Sequence, residues 1–127
     1  MNKARTFEEL IAWQKARALT KNIYAATRQR GFQQDISLAR QIQRASVSMM
    51  SNIAEGFERS GIKEFSNFLS MAKGSCAEVR SQLYVAFDNE HLTESAFRSL
   101  MDQAIETARV IGGLRSSLQR LITQRNH

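Results

Sequence analysis

Apolar residues recur along the chain at the three- and four-residue steps of amphipathic helices. In the first such segment they lie at Ala12, Ala16, Leu19, Ile23 and Ala26. Three further segments follow the same rule, and the longest regular run extends over 65–86. Residues spaced in this way share one face of a helix. The pattern predicts four helices, over about 7–30, 36–59, 61–90 and 94–123.

Short breaks between these segments determine how the helices are arranged. Gly31 is placed to take the left-handed conformation after the first helix. Asp35 or Ser37 is a candidate N-cap of the second helix, and Thr93 of the fourth. Breaks this short make each helix fold back on its neighbour. The sequence therefore predicts one all-α domain over 1–127, an antiparallel up-down-up-down four-helix bundle.

Composition agrees with a helical protein and indicates its cellular setting. Proline is absent, which is typical of long uninterrupted helices. The single cysteine, Cys76, cannot form an intramolecular disulfide, which favours a reducing compartment. No apolar run approaches the ~20 residues that a membrane span requires, and the first residues do not resemble a signal peptide. We expect a cytoplasmic protein without a membrane partner.

No residue pattern indicates a catalytic centre or a metal site. His91 and His127 are isolated, and no Cys or His pair has the spacing of metal ligands. The sequence also lacks a glycine-rich phosphate loop and the Glu-x-x-His pairs of carboxylate-bridged metal sites in bundles. We therefore expect no enzymatic activity, no cofactor and no small-molecule substrate.

The second predicted helix carries a polar stripe directly beside its apolar residues. Charges there, at Arg44, Glu55 and Arg59, are expected to be half-buried and to need partners, which the third helix can supply. The predicted polar network consists of Gln41, Arg44, Ser48, Asn52, Glu55, Arg59, Glu64, Ser75 and Glu78. It is either a structural ladder that fixes helix pairing or subunit docking, or a functional polar cleft. The absence of a nucleophile and base pair favours the ladder.

Large side chains also lie on faces that the predicted core does not need. Aromatic residues left outside a small bundle usually mark a partner surface, and small residues let another helix approach. The candidate oligomer contacts are Leu10, Trp13, Tyr24, Met50, Phe57 and Gly74. We expect a homo-oligomer; the alternative is that these residues cover the corners of a wide bundle.

Positive charge is the remaining signal. Lys and Arg number 18 against 12 Asp and Glu, which gives a formal net charge of +6. The candidate nucleic-acid-binding cations are Lys15, Arg17, Lys21, Arg28, Arg30, Arg109 and Arg120. Because the first and last helices of such a bundle are neighbours, these cations could merge into one surface that neutralises phosphates. A solvated face whose cations complement helix dipoles is an equally good interpretation.

Two stretches of the chain resemble a known family. They read FEELIAWQKARAL near the start and LARQIQRASVSMMSNIAEGFERSGIKEFSNFLSMAKGSCAEV in the centre. Both are similar to the bacterial four-helix-bundle family that includes the 23S-rRNA-intervening-sequence proteins, and the resemblance extends from Phe7 to about Leu121. It implies a four-helix protomer, a ring-shaped homopentamer and a distant likeness to the basic accessory proteins of diversity-generating retroelements, which work with a reverse transcriptase and RNA.

Two functions remain open at this point. The first is a homo-oligomeric accessory protein that binds RNA or DNA through its cations. The alternative is a protein-protein interaction scaffold with no nucleic-acid role, in which the positive charge serves only solubility.

Overall fold

The computed structural model of the protein describes residues 4–125, and within that range it contains helices and connecting turns but no strand. A 3-10 turn covers Phe7–Glu9. The helices are α1 (Ile11–Thr27), α2 (Arg30–Gln34), α3 (Ile36–Glu58), α4 (Ile62–Asp88) and α5 (Glu94–Arg125). The all-α prediction is confirmed, with four long helices and one short one.

The long helices alternate in direction. Thr20 of α1 donates a hydrogen bond to the carbonyl of Ser46 on α3 at 3.2 Å. Gln43 of α3 donates to Oγ1 of Thr27 at 2.8 Å, so the numbering rises along α1 where it falls along α3. Short turns reverse the chain again before α4 and α5, and α5 packs against both α4 and α1. The result is a closed antiparallel bundle.

The predicted apolar faces form its core. Every residue of the α3 set is buried, namely Leu38, Ile42, Ala45, Met49 and Ile53. The α4 set is buried from Leu69 to Ala86, while Phe65 at its start is half-buried. Helical periodicity thus identified the interior correctly because burial follows the face of the helix.

The first helix is shorter than the predicted 7–30. Leu10 is extended, with ψ of 127°, and separates the 3-10 turn from α1. Gln29 is extended as well, with ψ of 144°, and α2 begins after it. Gly31 therefore lies inside α2, and no glycine among residues 4–125 has a positive φ. The predicted left-handed glycine is wrong because the chain turns through Gln29 instead.

The turn between α4 and α5 follows a known helix-ending pattern. Glu90 has a positive φ of 63°, and the His91 amide donates to the carbonyl of Ala86 at 2.9 Å. This six-to-one hydrogen bond ends α4 as a Schellman motif does. Oγ1 of Thr93 accepts from the Ala96 amide at 3.1 Å, as its predicted N-cap role requires.

Candidate nucleic-acid interface

The cations of α1 lie on two different sides of that helix. Lys15 faces α5, where its Nζ lies 3.7 Å from Oε2 of Glu106. Arg109 donates to the same carboxylate from Nε at 2.8 Å and from Nη2 at 2.7 Å. These hydrogen bonds lower the pKa of Glu106, so the carboxylate is ionised at neutral pH. Two of the predicted nucleic-acid-binding cations thus share one acidic partner.

The other side of α1 borders a shallow groove against α3, which we call the α1/α3 groove. It has a volume of about 460 Å³ and is lined by Tyr24, Arg40, Gln43, Arg44, Val47 and Ser48. Both arginines are exposed, and neither forms an ion pair or a side-chain hydrogen bond with any residue in the range 4–125. The groove therefore carries two positive charges that no described acidic residue neutralises.

The remaining predicted cations of α1 and of the segment that follows it are also exposed. Arg17 lies over the Trp13 ring, with its Cζ 5.7 Å from the ring centroid. Lys21, Arg28 and Arg30 form no ion pair within the described part of the chain. Lys21 and Arg28 flank Tyr24 by one helical turn on either side, which puts all three on one side of α1.

This placement corrects the predicted positive surface. α1 and α5 are neighbours, but Glu106 lies between Lys15 and Arg109 and holds both of them. Arg120 lies apart from the other cations, at the end of the bundle where α1 begins, and shares an apolar cleft with Leu10 and Phe57. Cations without an acidic partner in the described range lie instead on α1, on the turn after it and on α3, where Arg40 and Arg44 line the α1/α3 groove. Arg40 is not among the predicted nucleic-acid-binding cations, although its i, i+4 spacing to Arg44 places both on one side of α3.

The predicted polar network is connected in its middle and at one end. Oγ of Ser48 and Oγ of Ser75 lie 3.0 Å apart across α3 and α4. Asn52 donates to the Ser48 carbonyl at 2.9 Å and to its Oγ at 3.2 Å. These hydrogen bonds join the two helices through short side chains.

The connected end of the network is centred on Arg59. Its Nη2 lies 3.0 Å from Oε1 of Glu55, and its Nη1 lies 3.5 Å from Oε2 of Glu64. The guanidinium also covers the Phe68 ring, with Cζ 5.1 Å from the centroid. This cluster links the end of α3 to the start of α4.

Three members of the predicted network lie outside it. Gln41 donates only to Ser37 of its own helix, at 3.0 Å. Arg44 and Glu78 are exposed and hydrogen-bond with no residue in the range 4–125 through their side chains. Arg59 and Glu55 keep 46% and 54% of their side chains exposed, close to the expected half-burial, and they have partners, whereas Arg44 is exposed and has none in the described range. Long side chains extend past the helix contact to reach water, whereas serine and asparagine cannot.

Close packing of α3 on α4 depends on Gly56. A Cβ at this position would lie 2.6 Å from Cβ of Phe68 and 3.1 Å from Cδ1 of Phe65. Real Cβ atoms do not approach this closely, so any side chain would push the two helices apart. Gly56 therefore sets the distance at which the polar network can form.

The candidate oligomer contacts do not form one surface. Leu10, Trp13 and Met50 pack against the core while remaining partly exposed. Phe57 meets Phe65 edge to face, with centroids 5.8 Å apart, and Tyr24 lines the α1/α3 groove. Gly74 is different, because a Cβ there would meet nothing within 4 Å. It lies on an outer face of α4 that also exposes the large side chains Met71, Tyr84 and Val85.

A cluster at the opposite end of the bundle was not predicted. Nε2 of His91 lies 3.0 Å from Oδ2 of Asp35, and the fully buried Phe32 stacks on the His91 ring at 5.4 Å between centroids. Asp35 also caps α3 by accepting from the Leu38 amide at 3.3 Å. The hydrogen bond from His91 and then that from Leu38 lower the pKa of Asp35. No local signal reveals this contact, because the two partners are far apart in the chain.

Other chemistry is limited within the described range. Residues 4–125 contain no group of three His, Cys, Asp or Glu side chains that could hold a metal ion. No helix in that range is both long enough and apolar enough to cross a membrane. The Cys76 thiol is buried and donates to the Ala104 carbonyl at 3.2 Å, and burial raises its pKa. A buried thiol with a raised pKa is a poor nucleophile.

Comparison with known proteins gives matches of two kinds, to a family model and to solved structures. A sequence model of the family described as 23S rRNA-intervening sequence protein matches residues 8–113. Among solved structures, the chain is similar to a protein of unknown function from the S23 ribosomal protein family of Bacteroides thetaiotaomicron. That alignment has a TM-score of 0.76 and 19% identity, and it covers 83% of this chain and 98% of the other. An identity this low shows a common fold alone. No curated protein matches the chain.

Proposed function

The chain belongs to the 23S rRNA-intervening sequence protein family, and we propose that it acts as a non-enzymatic, homo-oligomeric accessory protein of the cytoplasm that binds RNA or DNA. The observation that carries the proposal is a set of exposed cations on α1 and α3, of which Arg40 and Arg44 line the α1/α3 groove and Lys21 and Arg28 flank Tyr24 along the chain. Lys21, Arg28, Arg40 and Arg44 have no acidic partner among residues 4–125.

Charge distribution along the sequence supports the same surface. Between Leu10 and Ala54 the chain contains seven Lys and Arg residues, whereas Asp35 is its single acidic residue. Asp35 itself pairs with His91 at the end of the bundle. Cations without acidic neighbours are free to displace the counterions of a phosphate backbone, which is the main source of affinity in non-specific nucleic-acid binding. Phosphate contacts of this kind carry no sequence information.

Assembly would strengthen such binding. We propose a ring-shaped homo-oligomer, a pentamer as the family resemblance implies, in which the outer face of α4 contributes to subunit contacts. Met71, Tyr84 and Val85 expose 49%, 55% and 44% of their surface on this helix, and exposed large apolar side chains are candidate contacts with a partner. Each copy adds a formal charge of +6, and a positive field of that size attracts nucleic acid over a longer range.

A salt titration tests nucleic-acid binding directly. Fluorescence polarisation of labelled RNA and DNA oligonucleotides, recorded at several salt concentrations, should show an affinity that falls linearly with salt on logarithmic axes. Absence of binding at about 50 mM salt would end the proposal. Light scattering tests the assembly, since a mass equal to one protomer would exclude the ring.

An interaction scaffold is a second candidate, favoured by the same exposed face of α4. In that case the protein should capture a protein partner through α4 and not through the groove. A pull-down from lysate with and without nuclease separates the two functions. The scaffold would be favoured if a partner protein remains bound after nuclease treatment and is no longer captured by a Tyr84→Ser variant.

A further inference from the structure

Tyr24 is the aromatic residue of the α1/α3 groove, and the fold leaves its ring unused. The side chain is half-buried between α1 and α3, beside Arg40, Arg44 and Val47. Within residues 4–125 its ring joins no aromatic pair and no cation covers it. A half-buried aromatic ring that lines a positive groove and has no partner ring in the described range is a candidate for stacking.

Trp13, the other aromatic residue on this side of α1, has ring contacts within the protein that Tyr24 lacks. Arg17 lies over its ring and Phe7 packs against it at 5.1 Å between centroids. Its faces are already used in contacts within the protein. Tyr24 is therefore the better candidate for contact with a ligand.

Arg40 and Arg44 line the groove beside Tyr24, and Lys21 and Arg28 lie one helical turn before and after Tyr24 along α1. Arg40 and Arg44 are about 6 Å apart along α3, and Lys21 and Arg28 are about 10 Å apart along α1, at a rise of 1.5 Å per residue. A chain of phosphates running along the groove would thus meet positive charge before and after the tyrosine.

Two polar side chains of the groove, Gln43 and Ser48, already form hydrogen bonds within the protein. Gln43 donates to Thr27, and Ser48 is bonded to Ser75 and accepts from Asn52. These two side chains therefore have less capacity left for the hydrogen bonds with base edges that read a sequence, and we assign the two arginines of the groove to phosphates. Stacking on an aromatic ring tolerates every base, and together with a positive groove it is the usual arrangement in proteins that bind single strands.

From this geometry we infer that the α1/α3 groove binds single-stranded nucleic acid without sequence preference, with a base stacked on Tyr24 and the flanking phosphates on the cations. The inference rests on the proposed function and names its ligand class. A duplex keeps its base faces stacked on one another, so it could contact the cations but not the ring unless a base were unstacked.

Competition between single and double strands tests the inference on the unmodified protein. Charge alone favours the duplex, whose salt dependence per contact is larger, about 0.9 against about 0.7 for single strands. Stacking on Tyr24 should reverse this order, so we expect a mixed-sequence single strand to bind more tightly than a duplex of the same length at equal salt. Equal or tighter duplex binding would overturn the inference and leave the proposed function intact. Absence of binding to either would overturn both.

Two variants of Tyr24 test the stacking contact. Tyr24→Leu keeps an apolar side chain but removes the ring, and it should weaken single-strand binding by roughly 5- to 100-fold, the effect of losing one stacked base. Its salt slope should stay unchanged because the phosphate contacts remain. Tyr24→Phe is the matched control and should bind as the wild type does. Circular dichroism verifies that both variants are folded, and wild-type affinity in a folded Tyr24→Leu variant would contradict the inference.

Discussion

The flank of α3 that faces α4 and the flank that faces α1 both carry polar side chains, but they use them differently. Toward α4, the hydroxyls of Ser48 and Ser75 are hydrogen-bonded at 3.0 Å, and Arg59 forms ion pairs with Glu55 and Glu64. Toward α1, Arg40 extends into a groove in which no described residue pairs with it. One flank therefore fixes the position of the helix, and the other presents charge to a partner.

What separates the flanks is the length of the side chains and the presence of acids. Serine and asparagine are short enough to be satisfied between two helices, so they contribute to register. Arginine reaches past the contact into solvent and needs a carboxylate or a phosphate as its partner. The α4 flank has glutamates near its arginine, whereas the α1 flank has none.

The largest effect is expected where the α4 flank is tightest. Gly56→Ala places a Cβ 2.6 Å from Cβ of Phe68, so overpacking should lower the free energy of unfolding by about 2–3 kcal/mol despite the better helix propensity of alanine. The measurement is chemical denaturation. Gly113→Ala is the matched control, because a Cβ there meets nothing within 4 Å and should stabilise the helix by up to about 1 kcal/mol. Equal stability of the two variants would show that α3 and α4 do not touch at Gly56.

The α1 flank should respond in binding and not in stability. Replacing both Arg40 and Arg44 with glutamine removes two phosphate contacts, which corresponds to roughly 25-fold weaker single-strand binding at about 0.1 M salt. Stability should not fall, because neither arginine has a partner in the described structure and glutamine is a good helix former. Polarisation and denaturation on the same sample measure both. Lower stability with unchanged affinity would show that this flank stabilises the fold and does not bind nucleic acid.

The hydrogen bond between the two serines should contribute less. A double-mutant cycle with Ser48→Ala and Ser75→Ala should give a coupling energy of about 1 kcal/mol, the usual net value of one hydrogen bond. Chemical denaturation of the wild type, the two single variants and the double variant measures this coupling energy. Strictly additive effects would mean that the hydroxyls do not interact.

The smallest effect on stability is expected at the start of α3, which lies outside both flanks. Asp35→Asn keeps a capping side chain and removes the charge that His91 contacts. Because the pKa of Asp35 is lowered in the folded state, its carboxylate stabilises the protein above the ordinary value of 3.8, and this stabilisation is lost as the pH falls through the lowered pKa. Denaturation across this range should show a wild-type advantage that shrinks in acid. A constant difference would exclude the contribution of the pair.

The sequence predicted the helices and their buried faces because both depend on local spacing. Leu38, Ile42 and Met49 are three or four residues apart, and no tertiary information is needed to place them on one face. The break near Gln29 was not predicted, since Arg28, Gln29 and Arg30 are all polar and interrupt no apolar pattern.

Charge pairing was predicted less well because it depends on tertiary contacts. The sequence does not distinguish Lys15 and Arg109 from Lys21, which has no acidic partner in the described range. In the structure Lys15 of α1 and Arg109 of α5 both pair with Glu106. Arg44 looked like a member of the polar network, yet it lines the groove on the other side. The contact between Asp35 and His91 joins two turns that are distant in the chain, and spacing along one helix does not reveal it.

The most direct test of the account is the salt dependence of nucleic-acid binding in two variants with the same net charge. One carries Arg40→Gln and Arg44→Gln, and the other carries Lys15→Gln and Arg109→Gln, whose cations already share Glu106. With single-stranded RNA, the first variant should lose about 1.4 from the slope of log K against log salt, and the second should lose little. Equal losses in the two variants would contradict the account, because net charge and not the groove would then determine binding.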